Sequence, residues 1–239
     1  MDHDLIKRHA APVPRYTSYP TANHFSGKVG VPDYVAWLGA IEPNTRLSLY
    51  LHVPFCEALC WYCACSTKAV RRYDPVQRYL GRLEKEIRTV AALVPRPVTV
   101  SHIHWGGGSP SILKAPDIAR LAAALREAFP IEPTAENAVE IDPRHMSTEQ
   151  VAAFVAAGVN RVSLGVQDFD ERVQKAIGRL QSFEMTRDVI EQFRARGVPS
   201  VNIDLVYGLP HQTEESLART IDQVITLAPD RIAAFGYAH

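Results

Sequence analysis

Tyr50-Leu51-His52-Val53-Pro54-Phe55-Cys56-Glu57-Ala58-Leu59-Cys60-Trp61-Tyr62-Cys63-Ala64-Cys65 is the stretch on which the reading of this chain turns. Its first residues close a run, Arg46–Val53, with the composition of a buried β-strand. All 4 cysteines of the chain then follow in one short segment. Disulfides stabilise small proteins by closing long loops between distant cysteines, and a group this tight closes almost none. Ligation of a metal or a cluster is the better reading. Thiolates at Cys56, Cys60 and Cys63, spaced Cys-x3-Cys-x2-Cys, can hold three corners of a [4Fe–4S] cube. One iron is then left without cysteine, a Lewis-acid position able to chelate an amino and a carboxylate group. Zinc prefers four tetrahedral ligands, commonly in two separated pairs, and Cys65 or His52 would have to supply the fourth. Free thiols with no metal are the third reading.

Outward from this loop, strand-like runs recur at Val98–Trp105, Asn137–Ile141, Arg161–Val166, Val201–Tyr207 and Arg231–Tyr237. Most read as continuously apolar, which predicts strands buried on both faces. Helical patterns lie between them. Asp74-Pro75 and Pro116 open two, and Ser147 with Gln150 forms a capping box before a third that stops at Gly158. Asp170–Ile177 and Phe183–Arg196 follow. Thr213 caps the last, with Leu217, Ile221, Val224 and Ile225 expected to face inward.

Strand alternating with helix predicts an α/β fold, a parallel sheet of right-handed βαβ units. Six strands joined by five crossovers suit an open or partial barrel better than a closed eight-fold one. Residues 1–45, with Pro12, Pro14, Pro20, Pro32 and Pro43, read as an irregular N-terminal arm holding one short helix around Asp33–Ala40. Residues 46–239 read as the partial barrel. A βαβ chain that stops on a bare strand is expected to be truncated at its C-terminus.

Composition narrows the function. The 26 Lys+Arg balance 26 Asp+Glu, so the formal net charge is zero. That gives no electrostatic footprint for nucleic acid or an anionic membrane. A hydrophobic content of 46% excludes global disorder. No apolar run approaches the roughly 18–20 residues that span a bilayer. Met1 to Arg15 contain no apolar signal core, and a cytoplasmic location is expected.

Gly106-Gly107-Gly108 follows the second strand and lets backbone amides approach a ligand. It lacks the Gly-Lys-Ser/Thr of a phosphate loop. Glu140 and Asp204 each interrupt an apolar strand, and an unpaired buried carboxylate costs several kcal/mol. Each is therefore read either as half of an ion pair with an arginine or as a ligand-binding carboxylate. His102 and His104 read as buried, hydrogen-bonded histidines, and Arg71-Arg72 as a solvated surface pair. The arm is expected either to cover an open edge of the partial barrel or to contact a ligand, with Arg15 as partner for a carboxylate and Tyr16 and Tyr19 offering flat faces.

Cys-x3-Cys-x-aromatic-Cys after a first strand resembles the signature of the radical S-adenosylmethionine (SAM) enzymes. The wider string from Tyr50 to Cys65 resembles the oxygen-independent coproporphyrinogen III oxidase (dehydrogenase) family. So do Arg15-Tyr16-Thr17-Ser18-Tyr19-Pro20-Thr21, His104-Trp105-Gly106-Gly107-Gly108-Ser109-Pro110, Val139-Glu140-Ile141-Asp142-Pro143, Gly165-Val166-Gln167-Asp168-Phe169 and Asn202-Ile203-Asp204-Leu205-Val206-Tyr207-Gly208-Leu209-Pro210. These motifs keep one order and cover the first half of the family's usual length, with its C-terminal region absent. The resemblance implies a partial (β/α)6 radical SAM barrel, a [4Fe–4S] cluster on Cys56, Cys60 and Cys63, and two SAM molecules. Tyr50, Tyr62, Gly107 and Glu140 match positions around the cluster-bound SAM. Gly108, Ser109, Gln167, Arg179, Asp204 and Ala238 match positions around the second.

The activity implied is oxidative decarboxylation of two propionates of coproporphyrinogen III to vinyl groups, giving protoporphyrinogen IX in anaerobic haem biosynthesis. The implied enzyme is a monomer, served by a low-potential donor of flavodoxin or ferredoxin type, with no nucleic-acid or membrane partner. Cys65 would be an accessory residue. The alternative is a chaperone-like relative that binds haem without oxidase activity. Relatives of that type carry an aromatic residue at the position of Cys65 and lack the arm with Arg15-Tyr16-Thr17-Ser18-Tyr19-Pro20.

Overall fold

The computed structural model describes residues 21–237 and Asp4. Ala238, and Arg15, Tyr16 and Tyr19 of the arm, lie outside the described residues. In chain order the strands are β1 (Arg46–Val53), β2 (Phe55–Cys56), β3 (Lys68–Ala69), β4 (Thr99–Gly107), β5 (Ile131–Ile141), β6 (Arg161–Gln167), β7 (Ser200–Tyr207) and β8 (Arg231–Gly236). The helices are α1 (Val31–Gly39), α2 (Asp74–Leu93), α3 (Ala115–Ala128), α4 (Thr148–Ala156), α5 (Glu171–Ala176), α6 (Phe183–Arg194) and α7 (Glu214–Thr226).

The main sheet has the order β1-β4-β5-β6-β7-β8, every neighbouring pair parallel. Strand order follows chain order and the two end strands do not pair, so the architecture is an open (β/α)6 partial barrel. β2 and β3 form a separate parallel pair within the cysteine segment.

Local sequence explains the element ends. Ser147 and Gln150 make the expected reciprocal cap of α4, and Gly158 follows that helix at φ 91°. Asp170 accepts from the amides of Arg172 and Val173 at the start of α5, and Ser182 and Thr213 cap α6 and α7. β5 begins at Ile131 rather than near Asn137. In the ladder its first part pairs with β4 at Ile131 and Val100, and the register breaks before Glu136 pairs with His102. Pro133, which offers no amide to the ladder, lies in that gap.

The expectation of strands buried on both faces holds only in part: Asn137, Ala138 and Val139 of β5 and Val201, Asn202 and Ile203 of β7 are buried in succession, but toward the strand ends one face opens. Val162 and Leu164 of β6, and Val201, Ile203 and Leu205 of β7, are buried. Between them lie Ser163, Gly165, Asn202 and Asp204, and Ser163, Gly165 and Asp204 line a cavity. The helix-facing side is a packed core, with Trp105 edge-on to Phe154 of α4 at 6.1 Å between ring centroids. The Trp105 indole donates to Asn137 Oδ1 at 3.0 Å. The other face stays polar because it surrounds a ligand-sized space instead of a second layer of side chains.

α7 is also rotated from its expected orientation. Ile221 and Ile225 are exposed, whereas Ser216, Thr220 and Val224 face inward. The physical reason is Asp168, a fully buried carboxylate just beyond β6. It accepts from Thr220 Oγ1 at 2.7 Å, from the Asp170 amide at 2.7 Å and from Gln212 Nε2. Gln212 Oε1 in turn accepts from the Gly208 amide at 2.6 Å, which ties the end of β7 to the end of β6.

Two stability predictions follow from this packing. Phe154→Ala should cost about 3–5 kcal/mol in chemical denaturation, through lost burial and the cavity left beside Trp105. Asp168→Ala should cost about 3–5 kcal/mol, because its partners are then left buried and unpaired. A loss below about 1 kcal/mol in either variant would refute the corresponding account.

Candidate active site: a thiol-lined chamber at the strand ends

The site rests on backbone pairing that continues past the ends of β1 and β4. The Gly108 amide donates to the Val53 carbonyl at 2.8 Å and the Ser109 amide to the Phe55 carbonyl at 2.9 Å. A side chain at position 108 would place Cβ 2.7 Å from the Phe55 carbonyl oxygen, so only glycine permits this approach. Gly107 has φ 114°, a conformation that side chains resist. The root of the cysteine loop is thereby fastened to the glycine segment.

A chamber of about 180 Å³ opens where these segments meet. Cys56, Cys60, Tyr62, Cys63 and Cys65 form one wall. Gly107, Gly108, Ser109, Glu140, Gln167, Arg179 and Asp204 complete it from the ends of β4 to β7. Tyr50 is placed differently. Its ring stacks on His104 at 5.7 Å and its hydroxyl lies 3.2 Å from His52 Nδ1, and it is exposed rather than part of the chamber lining. Burial, and the charge of Glu140 after it, push its phenol pKa upward.

Three residues that sequence reasoning did not assign complete the site. Asp142, Arg144 and Ser163 all line the chamber. The polar-apolar alternation of Arg161–Val166 was the available signal for Ser163, and Asp142-Pro143-Arg144 directly after β5 for the other two. Arg144 clasps Asp142 through Nε at 2.9 Å and Nη2 at 2.6 Å. The buried Arg179 donates to Asp142 Oδ2 at 3.2 Å and to the Gly165 carbonyl at 2.7 Å. Burial would raise the Asp142 pKa, but the two guanidiniums outweigh it and hold the carboxyl below its ordinary range. Both arginines also reach Cys60 Sγ, Arg179 at 3.4 Å and Arg144 at 3.7 Å.

The strand carboxylates pair with neither arginine. Glu140 meets His104 Nε2 at 2.9 Å and accepts from the Gly107 amide at 3.2 Å. Asp204 accepts from Ser163 Oγ at 3.0 Å and Asn202 Nδ2 at 2.8 Å. Burial raises its pKa despite these bonds. Of the structural ion pairs expected for these two carboxylates, Glu140 has one with the His104 imidazole in place of an arginine, and Asp204 is held by neutral donors instead. His102, expected buried, is exposed and bonded to Ser101 Oγ at 2.9 Å, because the lower strand face opens to solvent.

The donor set separates the metal readings. Cys56, Cys60 and Cys63 share one cavity wall. A single zinc needs its donors around one point, whereas a cube takes each thiolate on a different iron. The residues present fit a cluster. Cys65 sits beside Cys63, and burial followed by that neighbour pushes its thiol up to about 11.

Comparison with known proteins agrees with this geometry. The model of the Radical SAM superfamily matches residues 50–224. The chain is 51% identical over 227 residues to the oxygen-independent coproporphyrinogen III oxidase of Bradyrhizobium diazoefficiens, covering 95% of this chain and 50% of that protein. It is 45% identical over 229 residues to the enzyme of the same name from Paracoccus denitrificans, covering 96% and 51%. The solved structure of coproporphyrinogen III oxidase from Escherichia coli, described as a radical SAM enzyme, superposes with a TM-score of 0.90 at 42% identity, covering 100% of this chain and 53% of that one. The chain therefore spans about half the length of these relatives. Among the described residues no helix is long and apolar enough to cross a membrane. A thiol-lined chamber at the ends of a six-stranded parallel sheet, under a family model that runs over most of the sequence, shows that this chain belongs to the radical SAM superfamily.

Proposed function

We propose that this chain forms the cluster- and SAM-binding part of an oxygen-independent coproporphyrinogen III oxidase. The observation that carries the reading is the chamber in which the cysteine thiols face carboxylates held by no arginine, Glu140 and Asp204, and the buried guanidiniums of Arg144 and Arg179. SAM has complementary charges: a sulfonium, an ammonium and a carboxylate. Glu140 and Asp204 suit its cationic and hydroxyl groups, and Arg144 and Arg179 suit its carboxylate. Cys56, Cys60 and Cys63 would hold the [4Fe–4S] cluster, and the bonds from Arg144 and Arg179 to Cys60 Sγ belong to the interactions that set a cluster's potential.

Tyr62, Gly107 and Glu140 would contact the cluster-bound SAM, with Tyr50 bracing Glu140 through His104. Gly108, Ser109, Gln167, Arg179, Asp204 and Ala238 would surround a second SAM. When bound, the cluster and SAM supply the radical that starts oxidative decarboxylation of two propionates of coproporphyrinogen III, giving protoporphyrinogen IX. The chain's own residues orient the reacting groups and keep water from them. The enzyme would act as a cytoplasmic monomer in haem biosynthesis, its N-terminal arm of residues 1–45 preceding the barrel at 46–239, and would take its electron from a low-potential carrier.

The deciding experiment is anaerobic reconstitution followed by incubation with SAM, reductant and coproporphyrinogen III. Vinyl product supports the oxidase; haem binding without vinyl product would favour the chaperone-like alternative. Reconstituted protein should carry about four irons and four sulfides and absorb near about 400 nm. Changing Cys56, Cys60 or Cys63 to Ala should abolish that band. Stoichiometric zinc without labile sulfide would overturn the assignment. Cys65→Ala should keep the cluster and SAM cleavage but lose porphyrinogen turnover, and loss of the cluster in that variant would place Cys65 among the ligands.

A further inference from the structure

The three thiols of the proposed cluster site have unequal neighbours. Cys56 Sγ lies 3.4 Å from the Thr67 hydroxyl, and the Cys65 thiol hydrogen-bonds Cys63. Those two partners, a hydroxyl and a thiol, are neutral. Cys60 Sγ instead receives two guanidiniums, Arg179 Nη1 at 3.4 Å and Arg144 Nη2 at 3.7 Å. Asp142 pairs with both arginines, so two positive charges and one negative charge gather beside a single thiol.

The two arginines are held differently. Arg144 gives Nε and Nη2 to the Asp142 carboxylate, and its backbone amide donates to Asp142 Oδ1 at 3.1 Å. Pro143 lies between the two residues and restricts the backbone that joins them. Asp142 is anchored in turn, its amide donating to Ser111 Oγ at 3.3 Å. Arg144 thus reaches Cys60 from a fixed clasp. Arg179 donates to Asp142 and to the Gly165 carbonyl, but its buried Nε has no partner among the described residues. A spare buried donor suits an acceptor on an incoming ligand.

We infer that Arg144, locked by Asp142, is the residue that raises the cluster's reduction potential through Cys60, while Arg179 is left to the ligand. The inference rests on the proposed cluster at Cys56, Cys60 and Cys63. In the reduction, one electron passes from a low-potential donor to the cluster, and no bond forms or breaks. The cluster gains one negative charge, shared with its thiolate sulfurs. A guanidinium stays charged at any working pH, and one fixed beside such a sulfur stabilises the reduced form more than the oxidised form. Its largely buried position leaves that effect weakly screened.

The test reads the cluster without SAM and so does not depend on turnover. Parent and variants are reconstituted anaerobically and their iron and sulfide counted. The reduced fraction is then followed by electron paramagnetic resonance while dithionite, with redox mediators, sets the potential. Arg144→Gln and Arg144→Met are neutral replacements of different shape. Each should shift the reduction equilibrium about tenfold or more toward the oxidised form, or about 59 mV lower for a one-electron couple. Arg144→Lys keeps the charge without the fork and should recover most of that shift. Arg71→Gln removes an exposed positive charge after β3 and should leave the equilibrium within about twofold of the parent. Neutral variants that load a full cluster at the parent's potential would overturn the inference and leave the proposed function intact. A potential for Arg144→Lys as low as theirs would also overturn it, because charge would not be the cause. So would loss of the cluster in both neutral variants, since Arg144 would then serve assembly. Failure of the parent protein to form a cluster would overturn the inference and the proposed function together.

Discussion

The pairing of β1 with β4 runs on beyond both strands, through the amides of Gly108 and Ser109 to the carbonyls of Val53 and Phe55. Everything in the site depends on that extension. It brings the cysteine loop against the glycine segment at backbone contact, leaving no room for a Cβ at position 108. Cys56 is further held from the other side by the β2–β3 pair, and its sulfur lies 3.4 Å from Thr67 Oγ1. A loop of this length has little core of its own, so its shape comes from these main-chain bonds.

β5, β6 and β7 contribute further positions to the same chamber: Glu140 from β5, Ser163, Gly165 and Gln167 from β6, and Asp204 from β7. Parallel register places these positions at a common height, and the period of two keeps their apolar neighbours against the helices. Glu140 pairs across the ladder with Ser163, and Gly165 with Asp204. The buried network around Asp168 then aligns the ends of β6 and β7, next to Gln167, whose φ of 69° is itself unusual for a non-glycine residue. Charge is distributed with the same economy. Two guanidiniums gather at Cys60 and Asp142, while Glu140 and Asp204 are held by neutral or weakly basic donors and remain available to a cationic ligand.

The sequence by itself determined the βαβ order, the helix caps at Ser147 and Thr213, and the candidate cluster ligands, since these depend on local chemistry and on spacing within a few residues. It also singled out Glu140 and Asp204, because carboxylates in apolar strands stand out, while Gln167 and Arg179 entered only through the resemblance to a known family. Only the tertiary structure decided which face of each strand is wet, that Thr220 rather than Ile221 turns inward, and that Arg144 joins Arg179 at Cys60. Those outcomes depend on contacts between residues as far apart as Asp168 and Thr220, or Cys60 and Arg179. No local pattern encodes such partners. They are selected when the sheet curls and each buried polar group has to find a hydrogen bond in the space that remains.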